Sequence, residues 1–267
     1  MSNPIENNRR IWDERAREGK KHALPATEKD FQNARARVDQ CGWLPKELRG
    51  VRVLCLAAGG GWHGPLFAHL GAEVTVVDIS EEMLALDRKI ADARGLPIKL
   101  LRASMDDLSA LPPGAFEVVV QPVSSCYVPD VTAVYHEVAA VISSGGLYIS
   151  QHKQPISLQA SALPGAKGYS INHSYYISGP LPAETLAGLE HREAGAHEFI
   201  HRWEDLVGGL CRSGFVIEDL LEPRHADAAS PPGTFPHRSH FIPPYVTIKA
   251  RRVVVGSEKN LKLWVPA

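Results

Sequence analysis

Between residues 51 and 149 the chain alternates short apolar runs with segments of helical periodicity. The runs cover residues 51–56, 74–77, 98–101, 116–120 and 147–149, and the helical segments cover 65–70, 81–94 and 131–142. A strand with one wet face carries a polar residue at every second position, and most of these runs do not. Such runs are covered on both faces, as in the central strands of a parallel sheet layered by helices. Right-handed crossovers then wind the chain into a doubly wound α/β sheet. Its ligand crevice lies at the carboxyl ends of the strands.

The rest of the chain attaches to this core. Residues 1–50 read as an N-terminal helical extension: Ile11, Trp12 and Ala16 share one helix face, Phe31, Ala34 and Val38 share another, and Pro25 lies in the loop between. Residues 51–152 form the cofactor-binding core. Residues 153–200 are rich in Gly, Pro, His and Tyr and lack periodicity. They are too long for a passive connector and read as a lid or substrate insertion after the fifth strand. Helix and strand resume over 201–255, completing the sheet, and 256–267 is a tail.

A chain of 267 residues buries a core without disulfides or structural metal. Its four cysteines form no CxxC pair, and residues 1–21 have no apolar signal core. No run approaches the roughly 20 apolar residues that span a bilayer. A cytoplasmic protein without a membrane partner is expected. The net charge of −1 argues against a dedicated nucleic-acid binder, because phosphate neutralisation needs clustered Lys and Arg.

The first strand runs into AAGGGWHGP, where Gly59, Gly61 and Gly64 satisfy GxGxxG. Glycine permits positive φ and a close approach of backbone to ligand, and the following helix aims its first N–H groups at the same place. A dinucleotide-binding fold uses the same turn. The second strand ends in Asp78, nineteen residues after Gly59, where a carboxylate accepts hydrogen bonds from ribose hydroxyls.

In this turn, in the spacing to Asp78 and in the string VDISEEML at 77–84, the sequence resembles the class I (Rossmann-like) S-adenosylmethionine-dependent methyltransferases. LLRASMDDLSALPPGAFEVVVQPVSSCYV resembles their third strand, adenine loop and fourth strand. YHEVAAVISSGGLYIS resembles their next helix, glycine turn and fifth strand. The resemblance covers roughly residues 45–152. Within that class, PVSSCYVPDV and the later stretch from HRWEDLVGG to SGFVIEDLLE are similar to a bacterial group of unassigned substrate.

The resemblance implies a mostly parallel seven-stranded sheet. It implies S-adenosyl-L-methionine as cofactor, S-adenosyl-L-homocysteine as product, and methyl transfer to a small-molecule acceptor by in-line displacement. It also implies a cofactor site drawn from Ala57, Gly59, Gly61, Asp78, Ile79, Met83, Ser104, Met105, Asp106 and Gln121. There Ser80 caps the second helix, Met83 packs toward the adenine, and Met105 offers its backbone N–H to the ring. Four positions depart from the family, one of them Ser144, which stands where a Pro commonly precedes the glycine pair. Cys55 stands where an acidic residue often helps hold the amino-acid end of the cofactor, and Ala57 where the first glycine stands. Ser104 replaces the acid that binds the adenine amino group, with Asp106 as its substitute. These departures leave open a non-catalytic cofactor-binding protein, and the literal GxGxxG leaves open an NAD-dependent oxidoreductase.

A sulfonium already makes its methyl carbon electrophilic, so a methyltransferase chiefly aligns the nucleophile and excludes water. A base matters only where the acceptor loses a proton. The acceptor-side candidates are His63 after the glycine turn, His152 after the fifth strand, His173 and Tyr175 in the insertion, and His201 before the next helix. The HxxH at His237 and His240, with His191 and His197 upstream, does not match a zinc pattern, and no metal is expected. On this reading Asp78→Ala removes a charge-assisted pair of hydrogen bonds, each worth about 1.5–3 kcal/mol. Calorimetry should then show S-adenosylhomocysteine affinity falling about tenfold or more with the fold intact. Unchanged affinity would detach Asp78 from the ligand.

Overall fold

The computed structural model describes residues 3–182 and 191–253. Seven strands form one sheet in the order β3-β2-β1-β4-β5-β7-β6. The five apolar runs become β1 Arg52–Leu56, β2 Glu73–Asp78, β3 Ile98–Arg102, β4 Phe116–Gln121 and β5 Ile142–Lys153, all parallel. β7 Tyr245–Arg252 is antiparallel to both β5 and the edge strand β6 Phe215–Leu221. The order reverses about β1, with β2 on one side and β4 on the other. The crevice of a doubly wound sheet opens at such a reversal.

The apolar runs follow from the layering. Along β1, Leu54 and Leu56 enter one core with Val119, Tyr135 and Tyr148, while Val53 and Cys55 enter another with Val76, Phe67 and Leu84. Alternate residues thus feed opposite layers, and both sets are apolar. Helices α4 His63–His69 and α5 Glu81–Arg94 cover the second face, and α6 Val131–Val141 covers the first. Ser80 caps α5, its Oγ accepting the Met83 N–H at 3.1 Å, and Gly95 ends the helix at φ 64°. The third glycine of the turn, Gly64, brings α4 onto β2: a Cβ there would lie 2.4 Å from Val76 Cγ2.

The N-terminal extension lies over this core. Helix α1 Pro4–Arg17 is fastened to the start of α5, where Asp13 accepts the Ser80 hydroxyl at 2.6 Å and Arg17 pairs with Glu82 at 2.9 Å. The second expected helix is broken in two at Asn33, into α2 Glu28–Gln32 and α3 Ala34–Val38. Asn33 adopts φ −118°, ψ 26°, outside helical geometry. Phe31 and Ala34 still pack together, against Leu66.

After β5 the insertion forms a short helix, α7 Pro155–Gln159, and then runs without regular structure to residue 182. It is tied to α9 Phe235–Phe241. The Arg238 guanidinium donates to the carbonyls of Ser157 at 2.7 Å and Ser161 at 3.0 Å, and the Tyr169 hydroxyl meets His237 Nδ1 at 2.9 Å. The helix expected near Trp203 is a π-type turn, Glu204–Gly208, leading into α8 Gly209–Arg212. Residues 183–190 of the insertion, 254–255 of the expected last strand and the tail 256–267 lie outside the described residues. Among the described residues no helix is long and apolar enough to cross a membrane, and Cys41, Cys55, Cys126 and Cys211 are free thiols.

Candidate active site

A cavity of about 590 Å³ opens at the carboxyl ends of β1, β2 and β4. Ala57 and Gly59 after β1 line it, with Asp78 and Ile79 at the end of β2, Met83 of α5, Ser104 and Met105 after β3, and Gln121 closing β4. Two residues expected there lie elsewhere. Asp106 accepts the Ser104 hydroxyl and does not line the cavity. Gly61 turns away: its carbonyl accepts the Ala26 N–H at 2.9 Å, and a Cβ on it would meet the Leu86 carbonyl oxygen at 2.9 Å. At φ 74° it also needs the freedom of glycine. A Cβ on Gly59 would lie 2.9 Å from both Asp78 Oδ2 and Met83 Cβ. These glycines are therefore required by the packing of the turn onto β2 and α5.

Two buried carboxylates hold the turn. Asp78 Oδ2 accepts the Gly59 N–H and Oδ1 the Ser80 N–H, each at 2.9 Å. Burial pushes this carboxyl up to about 6 against those bonds. Asp87, on α5, is fully buried, and its Oδ2 accepts both the Gly60 and Gly61 N–H groups at 2.8 and 3.0 Å. Its Oδ1 has no partner among the described residues, and burial pushes the group up to about 7. Cys55 lies buried beneath the turn, its thiol raised well above the ordinary range by burial and then by the charge of Asp87. The acid that the family resemblance places at position 55 is absent, and Asp87 reaches the turn from α5 without lining the cavity. The signal was in the periodicity of α5: Met83, Leu84, Asp87 and Ala91 form its buried stripe, and one of them is charged. Ala57 takes φ 47°, left-handed backbone that suits the glycine found there in the family.

Across β4 the cavity continues over β5 and β7. Gln151 and Lys153 alternate on one face of β5, as Tyr245 and Thr247 do on β7, and Asn8 and Trp12 of α1 roof them. Lys153 Nζ is buried between Glu193, at 2.7 Å, and Glu198. Glu198 also takes Arg192, and the Tyr127 hydroxyl donates to Glu193 Oε2 at 2.6 Å. Burial opposes the charge on Glu193, but Lys153 outweighs it and holds this carboxyl below the ordinary range. The Trp12 ring stands edge-on to Tyr127 at 5.5 Å, and the Asn8 amide donates to the carbonyls of Tyr127 and His197, both at 2.9 Å. His22 also lines this space, with its backbone at φ 70° and its imidazole held below its usual range by burial. Tyr127 lies in the PVSSCYVPDV string and Trp12 on the apolar face of the first helix, whereas strand register and a distant loop bring in the others, which carry no motif.

Of the five acceptor-side candidates, the structure brings only His63 to the cavity wall, where burial pushes its imidazole down to about 4. His152 is sealed between Ser125 Oγ at 2.7 Å and Ser150 Oγ at 2.8 Å, and burial pushes it down to about 3. His201 Nε2 meets the Ser125 carbonyl at 2.9 Å. The Tyr175 hydroxyl accepts the Trp203 N–H at 3.1 Å, and with His201 it lines a separate space of about 310 Å³. His173 lines neither cavity. A loop position after a strand is too coarse a cue, since one residue of shift turns a side chain from cavity to core. Among the described residues no three His, Cys, Asp or Glu side chains are grouped to hold a metal ion.

A doubly wound sheet, a glycine turn over its first strand and an acid ending the second define a nucleotide-cofactor enzyme of Rossmann-like fold. Residues 54–150 match the methyltransferase domain family. The chain is 32% identical over 237 residues to the uncharacterized methyltransferase YbaJ of Bacillus subtilis, spanning 84% of this chain and 92% of that one. It is 30% identical over 212 residues to a ubiquinone biosynthesis O-methyltransferase of Xanthomonas euvesicatoria, spanning 79% and 77%. A crystal structure of an S-adenosylmethionine-dependent methyltransferase from Mesorhizobium loti aligns over 84% of this chain and 97% of that one, with a TM-score of 0.63 and 29% identity. The chain belongs to the class I S-adenosylmethionine-dependent methyltransferases, which decides against the dinucleotide oxidoreductase.

Two measurements test the turn. Ala57→Gly removes a left-handed alanine and should stabilise the protein by about 1 kcal/mol in urea denaturation; no gain would mean the backbone there is unstrained. Asp78 and Asp87 titrate higher folded, at about 6 and 7, than the value near 3.9 expected unfolded. The folded state therefore binds extra protons between roughly pH 4 and 7. Their contribution to stability is fully present below about pH 4 and is lost as pH rises through 6 and 7. Asp87→Asn removes one of these titrations, so its stability relative to wild type should improve between pH 5 and pH 8. A difference that stays constant with pH would show that Asp87 does not titrate in this range.

Proposed function

We propose that the protein transfers a methyl group from S-adenosylmethionine to a small-molecule acceptor held against Tyr127, Lys153, Glu193 and Tyr245. One observation carries this reading: a single cavity joins the nucleotide-site residues of β1 and β2 to a polar-aromatic wall on β5 and β7, under a roof from α1. Its volume of about 590 Å³ is in the range of small-molecule sites, roughly 300–1,000 Å³.

The residues fit the cofactor. Each Asp78 oxygen accepts one backbone N–H and keeps a lone pair for a ribose hydroxyl. Ile79, Met83 and Met105 supply apolar surface for the adenine. When bound, the cofactor supplies a methyl carbon made electrophilic by its sulfonium. The chain's own residues then align the acceptor and keep water out, with Trp12 and Asn8 closing the roof. His22 lines the cavity with its imidazole held below the ordinary range by desolvation, and is placed to take the proton of a protic acceptor. The relative named for ubiquinone biosynthesis transfers to oxygen by its name, which supports a hydroxyl acceptor. The four free thiols fit a cytoplasmic location.

The test follows a labelled methyl group. S-adenosylmethionine carrying it is incubated with the protein and a cell extract separated into small-molecule, protein and nucleic-acid fractions. Label should enter the small molecules, and His22→Gln should slow transfer while leaving S-adenosylhomocysteine affinity unchanged. Label confined to protein or nucleic acid would overturn the acceptor class, and an unchanged rate would remove His22 as the base.

A further inference from the structure

The chemistry of the acceptor is written in the charges of the cavity wall. Two cations line it, Arg37 and Lys153, and both are committed. Arg37 Nε lies 2.8 Å from Asp30 Oδ1, and Lys153 is enclosed by Glu193 and Glu198. Three carboxylates line the same space. Asp39 is engaged by Arg35 and the N–H groups of Trp43 and Leu44, and Asp78 belongs to the glycine turn. Glu193 is the third. Its Oε2 receives both Lys153 Nζ and the Tyr127 hydroxyl, whereas its Oε1 makes no hydrogen bond among the described residues. Glu193 is about nine-tenths buried and what remains exposed faces the cavity.

This arrangement is more than Lys153 needs for neutralisation. Lys153, Arg192, Glu193 and Glu198 form a balanced buried set, and a buried ion pair is by itself a weak source of stability. Its geometry nevertheless spends only one oxygen of Glu193 and leaves the other as an anchored, ionised acceptor. An incoming anion would meet that charge with no uncommitted cation on the wall to offset it. An O–H or N–H would satisfy it.

Resting on the methyltransferase reading above, we infer that Glu193 is the acceptor-recognising group. The methyl acceptor is an uncharged or cationic small molecule whose O–H or N–H is received by Glu193 Oε1, and carboxylate or phosphate acceptors are excluded. Tyr127 and Lys153 hold Glu193 in place, and the edge of Trp12 flanks the same position through Tyr127.

The experiment uses sinefungin, an S-adenosylmethionine analogue in which a carbon-borne amine replaces the methylated sulfonium, so that a cation points where the methyl group would leave. Calorimetry on the full chain compares it with S-adenosylhomocysteine. Wild-type protein should bind sinefungin about tenfold more tightly, since its ammonium gains a charge-assisted bond. Glu193→Gln, which leaves Lys153 paired with Glu198, should abolish that preference while S-adenosylhomocysteine affinity stays unchanged. Sinefungin binding no tighter than S-adenosylhomocysteine to wild type would overturn the inference without need of a variant. It would equally be overturned if Glu193→Gln weakened both ligands alike, because Glu193 would then serve the cofactor itself. Wild-type protein that bound neither ligand would instead refute the cofactor site on which the inference stands.

Discussion

Asp78 and Asp87 are both removed from water, and a carboxylate so placed costs several kcal/mol unless donors surround it. The donors are the backbone amides of the glycine turn and of the first residues before α5. Asp78 takes Gly59 and Ser80, and Asp87 takes Gly60 and Gly61. The turn has no side chains with which to pack, so these bonds define its path. They tie the end of β1 to the end of β2 and to α5, and the floor of the cavity is what lies between. The raised pKa values of both acids show that burial is only partly offset. The site is therefore built on a strained electrostatic balance, and left-handed backbone at Ala57 adds to it.

The other end of the cavity is built differently. There the polar groups are side chains, drawn from β5, β7, the turn around Tyr127 and the segment containing Glu193. Four charges of alternating sign are buried together, so each neutralises its neighbours and none is left without a partner. Asn8 reaches from α1 to the backbone of both Tyr127 and His197, which joins the roof to that cluster. At one end of the cavity the polar contacts are backbone amides committed to Asp78 and Asp87, and at the other they are side chains drawn from distant parts of the chain.

The histidines illustrate how position in a fold and position in a site diverge. His152 follows the expected strand end, yet β5 extends to Lys153, and the alternation along it sends His152 into the core beside Tyr135 and Lys153 to the cavity. His201 and Tyr175 come together, but around the smaller space beside Asp205. In the insertion, Tyr169 and the neighbouring backbone are fastened to α9, and no residue between 154 and 182 reaches the main cavity. Among its described residues, Lys153 and Glu193 are the ones that line that cavity.

Local pattern was sufficient for the sheet, the glycine turn, Asp78 and the cap at Ser80, because each depends on residues adjacent in sequence or on a short, regular spacing, while the cofactor came from the family resemblance. Hydrophobic runs and helical periods report layering directly, since each element must bury its own apolar face. The partners of those elements were not legible. The periodicity of α5 places Asp87 on its buried stripe, but only the packing of α5 against the turn gives its carboxylate two amides. Glu193, Lys153, Tyr127 and His22 are separated by up to 171 positions along the chain, and no local rule relates them. Only the tertiary structure brought them to one wall, because a buried charge is costly unless the fold carries a counter-charge to it, and chain order does not encode that contact.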